Sequence, residues 1–166
     1  MTPQILDWLA QVVERWLQQP GAVLEAGSYN VNGSPRSLFA HAPSYVGTDM
    51  RQGPGVNVVI DNHDLLGKFG EAAFDTVLCL ECFEHDAAFW VTLENLRTML
   101  KPGGHLIVTT PTICFPEHRY PRDYWRFLPD AYGEIFFRDY AILALQPLNS
   151  DAGKDTTLAG IARKHG

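Results

Sequence analysis

Two short stretches concentrate the side chains that could move a proton or hold a metal. The first is CLECFEH, residues 79–85, in which Cys79, Cys82 and His85 recur at three-residue intervals and Glu84 precedes the histidine. The second is HRYPRDYWRF, residues 118–127, which gathers His118, Tyr120, Asp123, Tyr124, Trp125 and Arg126. An imidazole titrates near neutrality, so His85 and His118 have the intrinsic range to take a proton from a hydroxyl. Tyr124 joins them as a candidate catalytic residue. The cysteine spacing invites zinc, but Cys79 falls inside an apolar run and no fourth ligand stands at the expected spacing. A redox-active thiol pair would want a helix start, which is not predicted there. Cys79 therefore reads as a small buried apolar residue, and no metal is expected. Each cluster also has a structural reading. Glu84 could cap or pair with a basic side chain, His85 could pack in its loop, and Tyr124, Trp125 and Phe127 could staple the second stretch to the core.

A third stretch, AVLEAGSYNVNG at 22–33, suits binding rather than proton transfer. A short apolar run ends in an acid, Glu25; Gly27 and Gly33 follow, then Ser34-Pro35. A glycine turn after a buried strand lets backbone approach a ligand, and a helix beginning at Ser34 would favour an anion at its amino end. Asp49 closes the next apolar run, and an acid about 20 residues beyond a glycine turn fits a nucleoside site. A dinucleotide would fit that pair too, but GSYNVNG is not the G-x-G-x-x-G fingerprint.

The elements that must position these residues alternate. Thr2 and Pro3 open a helix whose Ile5, Leu9, Val12, Val13, Trp16 and Leu17 keep helical spacing until Gln19-Pro20-Gly21. Strands are predicted at 22–26, 44–49, 56–60, 75–80 and 105–110. Between them lie a short helix from Ser34, a weak helical segment at 64–71 and a helix capped by Asp86. A loop rich in proline and aromatics covers 111–128, and Pro129 opens a helix to about 138. Strands at 140–147 and 157–164, joined by a polar turn, form an antiparallel hairpin. Continuous apolar strands separated by helices mean a mostly parallel sheet covered on both faces. The expected fold is α/β: a Rossmann-like, doubly wound, seven-stranded sheet in one domain, with its ligand at the carboxyl ends of the strands.

Composition removes other classes. A length of 166 residues suits one core. A net charge of −6 argues against a nucleic-acid partner, which usually needs a basic face. No apolar run approaches the ~18 residues of a membrane span, and no leader pattern opens the chain. Three cysteines, an odd number, give no disulfide framework and fit a reducing, cytoplasmic setting.

Along most of its length the chain resembles a class I S-adenosylmethionine-dependent methyltransferase of the broad bacterial small-molecule type. The resemblance rests on VLEAGSYNVNG, YVGTDMR, VVIDNHDLL, FDTVLCLECFEH and, most specifically, LRTMLKPGGHLIVTTP. It implies S-adenosyl-L-methionine as cofactor. By residue, it implies Glu25, Gly27 and Ser28 in the glycine loop, Asp49 on the ribose hydroxyls and Met50 against adenine. Asp61 and Asn62 would lie at the adenine edge, and Cys79 and Leu80 beside the methionine part. Asp61 could equally cap the helix starting nearby, and Glu25 could be a buried acid. The family's first motif has glycines where this chain has Tyr29 and Val31, which implies a wider loop. HRYPRDYWRF resembles a segment of methyltransferase-like proteins from bacterial surface-polysaccharide loci, a likeness of fold rather than of substrate. The implied reaction aligns a nucleophile in line with the sulfonium methyl, on a small-molecule or glycan-related acceptor. Residues 115–127 would form a lid with His118 and Tyr124 facing the methyl group, and a second subunit of a homodimer could complete the acceptor site. A cofactor-binding but non-catalytic relative and, more remotely, a nucleotide-dependent oxidoreductase remain open on the residues alone.

Overall fold

The computed structural model describes residues 1–149 and 153–166. Seven strands form one sheet: β1 (Ala22–Ala26), β2 (Ser44–Asp49), β3 (Val58–Val59), β4 (Phe74–Leu80), β5 (Leu100–Pro111), β6 (Tyr140–Asn149) and β7 (Asp155–Lys164). Their order is β3-β2-β1-β4-β5-β7-β6. The first five are parallel, and β7 runs antiparallel between β5 and β6. The strand order therefore reverses at β1, with β2 on one side and β4 on the other. The carboxyl ends of these three strands carry the glycine loop, Asp49 and CLECFEH.

Strand periodicity sends alternate residues to opposite faces. Leu24, Ala26, Val77, Cys79, Leu106 and Val108 meet one set of helices: α2 (Leu65–Phe69), α3 (Phe89–Met99) and a short helical piece that starts at Pro129. Val23, Leu78, Leu80 and Ile107 meet α1 (Pro3–Trp16) and Phe39 on the other face. Helices on both faces explain why the central strands read as continuous apolar runs.

Several elements differ from expectation. Thr2 stands at the cap of α1 but makes no side-chain capping bond. The helix expected from Ser34 is only a 3-10 turn, Pro35–Phe39, with Ser34 Oγ accepting from Arg36 N. Five residues of 3-10 backbone do not offer the aligned amino end that an anion would use. β3 shrinks from 56–60 to two residues, because Asn57 is held from the side: its N donates to Gly47 O and its Oδ1 accepts from Gly47 N and Arg36 Nη2. β5 begins at Leu100 and runs through Pro102-Gly103-Gly104, five residues before the strand expected at 105–110. The helix expected over 129–138 is one α turn, Pro129–Ala131, followed by a π-helix, Tyr132–Phe136. That wider turn, closed by Phe137 N on Tyr132 O, aims Tyr132, Phe136 and Phe137 together into the core. The hairpin strands are present, and the polar turn expected between them falls partly outside the described residues.

Candidate active site

The glycine loop leans on the segment after β2. Gly27 N and Ser28 N both donate to Thr48 O at 2.9 and 2.8 Å, Ser28 Oγ donates to Gly55 O, and Asn30 N to Pro54 O. Gly27 has φ +78°, and a Cβ there would stand 2.9 Å from Cys82 Sγ, so no other residue fits without a shift. The positions where glycines were absent now have a reason. Tyr29 lays its ring on Gly53, where a Cβ would come within 2.2 Å of it. Val31 points outward and is exposed. The loop thus closes against residues 53–55 rather than arching over a helix end.

Asp49 ends β2 half-exposed, with Oδ1 accepting from Arg51 N at 2.9 Å. Met50 beside it is 68% exposed, unusual for its type. Asp61 does cap: its Oδ1 accepts from His63 N at the start of the 3-10 turn Asn62–Asp64. Asn62 is anchored from both sides, its O accepting from Asn95 Nδ2 and its Nδ2 donating to Cys82 Sγ at 3.4 Å. Cys82, which the sequence offered only as a discarded zinc ligand, touches both Asn62 and the Gly27 turn. Cys79 is fully buried in β4 and Leu80 nearly so, as small and large apolar core residues. Glu25 lies at the root of the loop rather than on its surface. It is 3% exposed, and its Oε2 accepts from Tyr45 OH at 2.8 Å. Burial pushes its carboxyl up to about 7, against the lowering effects of Tyr45 and of Arg36.

The second half of the site is the turn after β4 and the loop at 112–128. Glu81 leaves β4 in a left-handed conformation, φ +50°, which is strained for a side-chain-bearing residue. Its Oε1 is buried without a hydrogen bond. Burial, and then the charge of Glu84, push the Glu81 carboxyl up to about 8. Glu84 is fully buried, and neither of its carboxyl oxygens accepts a hydrogen bond. The two candidate imidazoles flank it: His85 Nε2 lies 3.5 Å and His118 Nε2 3.7 Å from Glu84 Oε1. The rings meet edge-on at 4.8 Å between centroids.

Arg126 organises the loop. It forms a two-pronged pair with both oxygens of Asp123 and donates to Phe115 O, Pro116 O and Trp125 O. Asp123 also accepts from His118 N at 2.7 Å. Arg126 foremost, then that backbone bond, hold the Asp123 carboxyl well below the usual carboxylate range. The loop docks on the β4–α3 turn through Tyr124 N on Glu84 O, Trp125 Nε1 on Asp86 O and His85 Nδ1 on Arg122 O. Trp125 and Phe127 also pack edge-on against Phe89, so the stapling role holds for them. The Tyr124 ring is about half-exposed, and only its backbone joins the cluster. At the other end, the Arg51 guanidinium lies between two rings, 4.7 Å from Tyr29 and 4.5 Å from Tyr120. It ties the glycine loop to the 112–128 loop across the carboxyl edge of the sheet.

The structure thus brings Gly27, Ser28, Asn62, His85 and His118 into one contiguous rim, linked through Cys82 and Arg51. A cavity of about 720 Å³ lies outside that rim, lined by Asn30, Ser34, Arg36 and Asn57 among others, and none of the expected cofactor residues lines it. Sequence reasoning missed Arg51, and it named Cys82 and Arg126 without the contacts they make here; the three-residue spacing of Arg126 from Asp123 is the one signal of its pairing.

Comparison with known proteins bears on the family and the fold. Residues 1–144 match the family described as "Methyltransferase domain". No curated protein matches the chain in sequence. Among solved structures, the chain is similar to the 1,6-didemethyltoxoflavin-N1-methyltransferase of Burkholderia thailandensis, solved with 1,6-didemethyltoxoflavin and S-adenosylhomocysteine bound. The TM-score is 0.78 at 20% identity, over 97% of this chain and 78% of that one. It is also similar to the N-methyltransferase NodS of Bradyrhizobium japonicum WM9 in complex with S-adenosylhomocysteine, with TM-score 0.71 at 16% identity, over 98% and 88%. A third is a SAM-dependent methyltransferase of Archaeoglobus fulgidus, with TM-score 0.71 at 15% identity, over 96% and 94%. At these identities the likeness is one of fold.

Proposed function

The chain belongs to the methyltransferase-domain family, and from that premise we propose that it transfers a methyl group from S-adenosyl-L-methionine to a small-molecule acceptor. The observation that carries the reading is the pairing, on one sheet edge, of a ligand-ready turn with a cluster of ionisable groups. Gly27 makes the tight turn after β1 at φ +78°, packed against Cys82, and Asp49 and Met50 stand accessible at the end of β2. These features fit a nucleoside, with the Asp49 carboxylate accepting from ribose hydroxyls and Met50 offering an apolar face to adenine. Asp61, Asn62 and the backbone at Cys79 and Leu80 complete the proposed contacts, and Ser28 and Glu25 support the loop from beneath. S-adenosylmethionine supplies an electrophilic methyl group when bound. The chain's own part is to orient the acceptor, exclude water and receive a proton.

His118 and His85 are the proposed proton acceptors, backed by the buried Glu84 carboxyl, and Tyr124 is proposed at the rim. The 112–128 loop acts as a lid, already stapled by Trp125 and Phe127 and clasped by Arg51. No helix among the described residues is long and apolar enough to cross a membrane. A glycan-related acceptor rests only on the HRYPRDYWRF resemblance. The test is formation of S-adenosylhomocysteine from S-adenosylmethionine with a panel of hydroxyl- and amine-bearing acceptors. Turnover that falls in His118→Ala while cofactor affinity stays within about threefold supports the reading. Undiminished turnover in that variant removes His118 from the chemistry.

A further inference from the structure

We propose that Glu84, His85 and His118 bind one divalent first-row transition-metal ion. Their ligand atoms lie within 4.8 Å of one another, and they come from two separate segments that the fold brings together. Two of the distances are close to those of ligands around a metal. Oxygen and nitrogen ligands about 2.0–2.2 Å from an ion stand about 3.3–3.6 Å apart in a tetrahedron, and Glu84 Oε1 is 3.5 and 3.7 Å from the two Nε2 atoms; the widest pair, up to 4.8 Å apart, closes by about 1 Å when the ion binds.

The protonation pattern points the same way. His85 Nδ1 lies 2.5 Å from Arg122 O, which can only accept, so Nδ1 carries the proton. In the neutral ring, Nε2 then turns a lone pair toward a carboxylate. Glu84, fully buried, accepts no hydrogen bond on either oxygen. A buried carboxyl without hydrogen bonds is stabilised by a proton or by a cation, and the two Nε2 atoms that face it supply the further ligands a cation would use.

Outer contacts complete the pattern of a metal site. Ligating imidazoles hold their second nitrogen on a carbonyl or carboxylate. His85 Nδ1 has Arg122 O; His118 Nδ1 is buried without a hydrogen bond, 3.5 Å from Asp123 Oδ2, which Arg126 locks in place. Two imidazoles with carboxylate oxygen suit zinc, iron, cobalt or nickel better than magnesium or calcium. The proposal departs from the expectation of no metal, which weighed Cys79 and Cys82. Neither thiol belongs to this set.

Metal binding does not rest on methyl transfer. If both hold, the imidazoles are ligands rather than bases, and an acceptor hydroxyl would lose its proton more readily on the ion.

The test uses untagged, chelator-stripped full-length protein, titrated with Zn²⁺ by calorimetry and with Co²⁺ by visible absorption. One ion per chain is expected. Glu84→Gln and His118→Ala should weaken binding by at least about tenfold, and Cys82→Ser should leave it unchanged. Circular dichroism reports folding, and the near-isosteric Glu84→Gln decides if His118→Ala unfolds. No ion bound by the wild type, or binding undiminished in Glu84→Gln, overturns the proposal. Absence of metal leaves the methyl-transfer reading intact with the imidazoles as bases, whereas metal binding without turnover leaves the site intact.

Discussion

Replacing Glu25 by Gln should make the protein more stable above neutral pH and change how its stability depends on pH. The carboxyl is held in the apolar layer between β1 and β2, 3% exposed, with Tyr45 OH as its partner. Burial raises it from the ordinary 4.5 to about 7. The sign follows from proton counting. Below pH 4.5 both folded and unfolded chains keep the proton, and the group exerts no pull. Between 4.5 and about 7 the unfolded chain releases the proton while the folded chain keeps it. Stability is therefore lost as pH rises through that window, and the loss is complete above it. A tenfold change in proton affinity is ~1.4 kcal/mol, so the loss over the window is on the order of 3 kcal/mol. Glutamine keeps an oxygen for Tyr45 and removes the titration. Urea unfolding of both proteins at pH 4.5 and pH 8 measures the effect. The stability difference between variant and wild type should move toward the variant by roughly 2–3 kcal/mol from the lower pH to the higher. A difference that does not change with pH would refute the reasoning, because Tyr45 and Arg36 would then hold the carboxylate ionised despite its burial.

Gly27→Ala should lower the thermal midpoint, since φ +78° and the 2.9 Å approach to Cys82 Sγ together cost about 1–3 kcal/mol. An unchanged midpoint would mean the loop shifts freely. Arg126→Gln should leave the circular dichroism spectrum intact and open the 112–128 loop to limited proteolysis, because Arg126 supplies the bonds to Asp123, Phe115 O and Pro116 O. In the wild type the same loop should stay protected at pH 4. The Asp123 carboxyl is depressed, so its contribution is present above the ordinary carboxylate range and fades only as pH falls through the lower folded value. Arg51→Met should loosen the clasp between Tyr29 and Tyr120 and raise the dissociation rate of S-adenosylhomocysteine in stopped flow, and an unchanged rate would remove the clasp from the binding site.

The sheet was legible because its strands are apolar on both faces and punctuated by glycine and proline. The alternation of strand and helix indicated the parallel core, and two final strands joined by a polar turn indicated the antiparallel ending. What failed was local. Asn57 delays the start of β3 through side-chain bonds that no apolar pattern encodes. Tyr132, Phe136 and Phe137 keep helical spacing in sequence, yet tertiary packing widens their turn into a π-helix. In the site, the acid and glycine positions were readable from their place at strand ends. The network around them was not, because it joins residues far apart in sequence. Glu25 meets Tyr45, Arg51 meets Tyr120, and Glu84 meets His118. Each of these pairs depends on which loops the sheet order brings side by side.

The most direct test of the central claim is calorimetric titration of S-adenosylhomocysteine into the wild type and into Asp49→Ala, with folding of both checked by circular dichroism. The account predicts one cofactor per wild-type chain. It also predicts an affinity about 10- to 150-fold weaker in the variant, equal to losing roughly 1.5–3 kcal/mol of charged hydrogen bonding to the ribose. No binding to the folded wild type, or equal affinity in the two proteins, would contradict it.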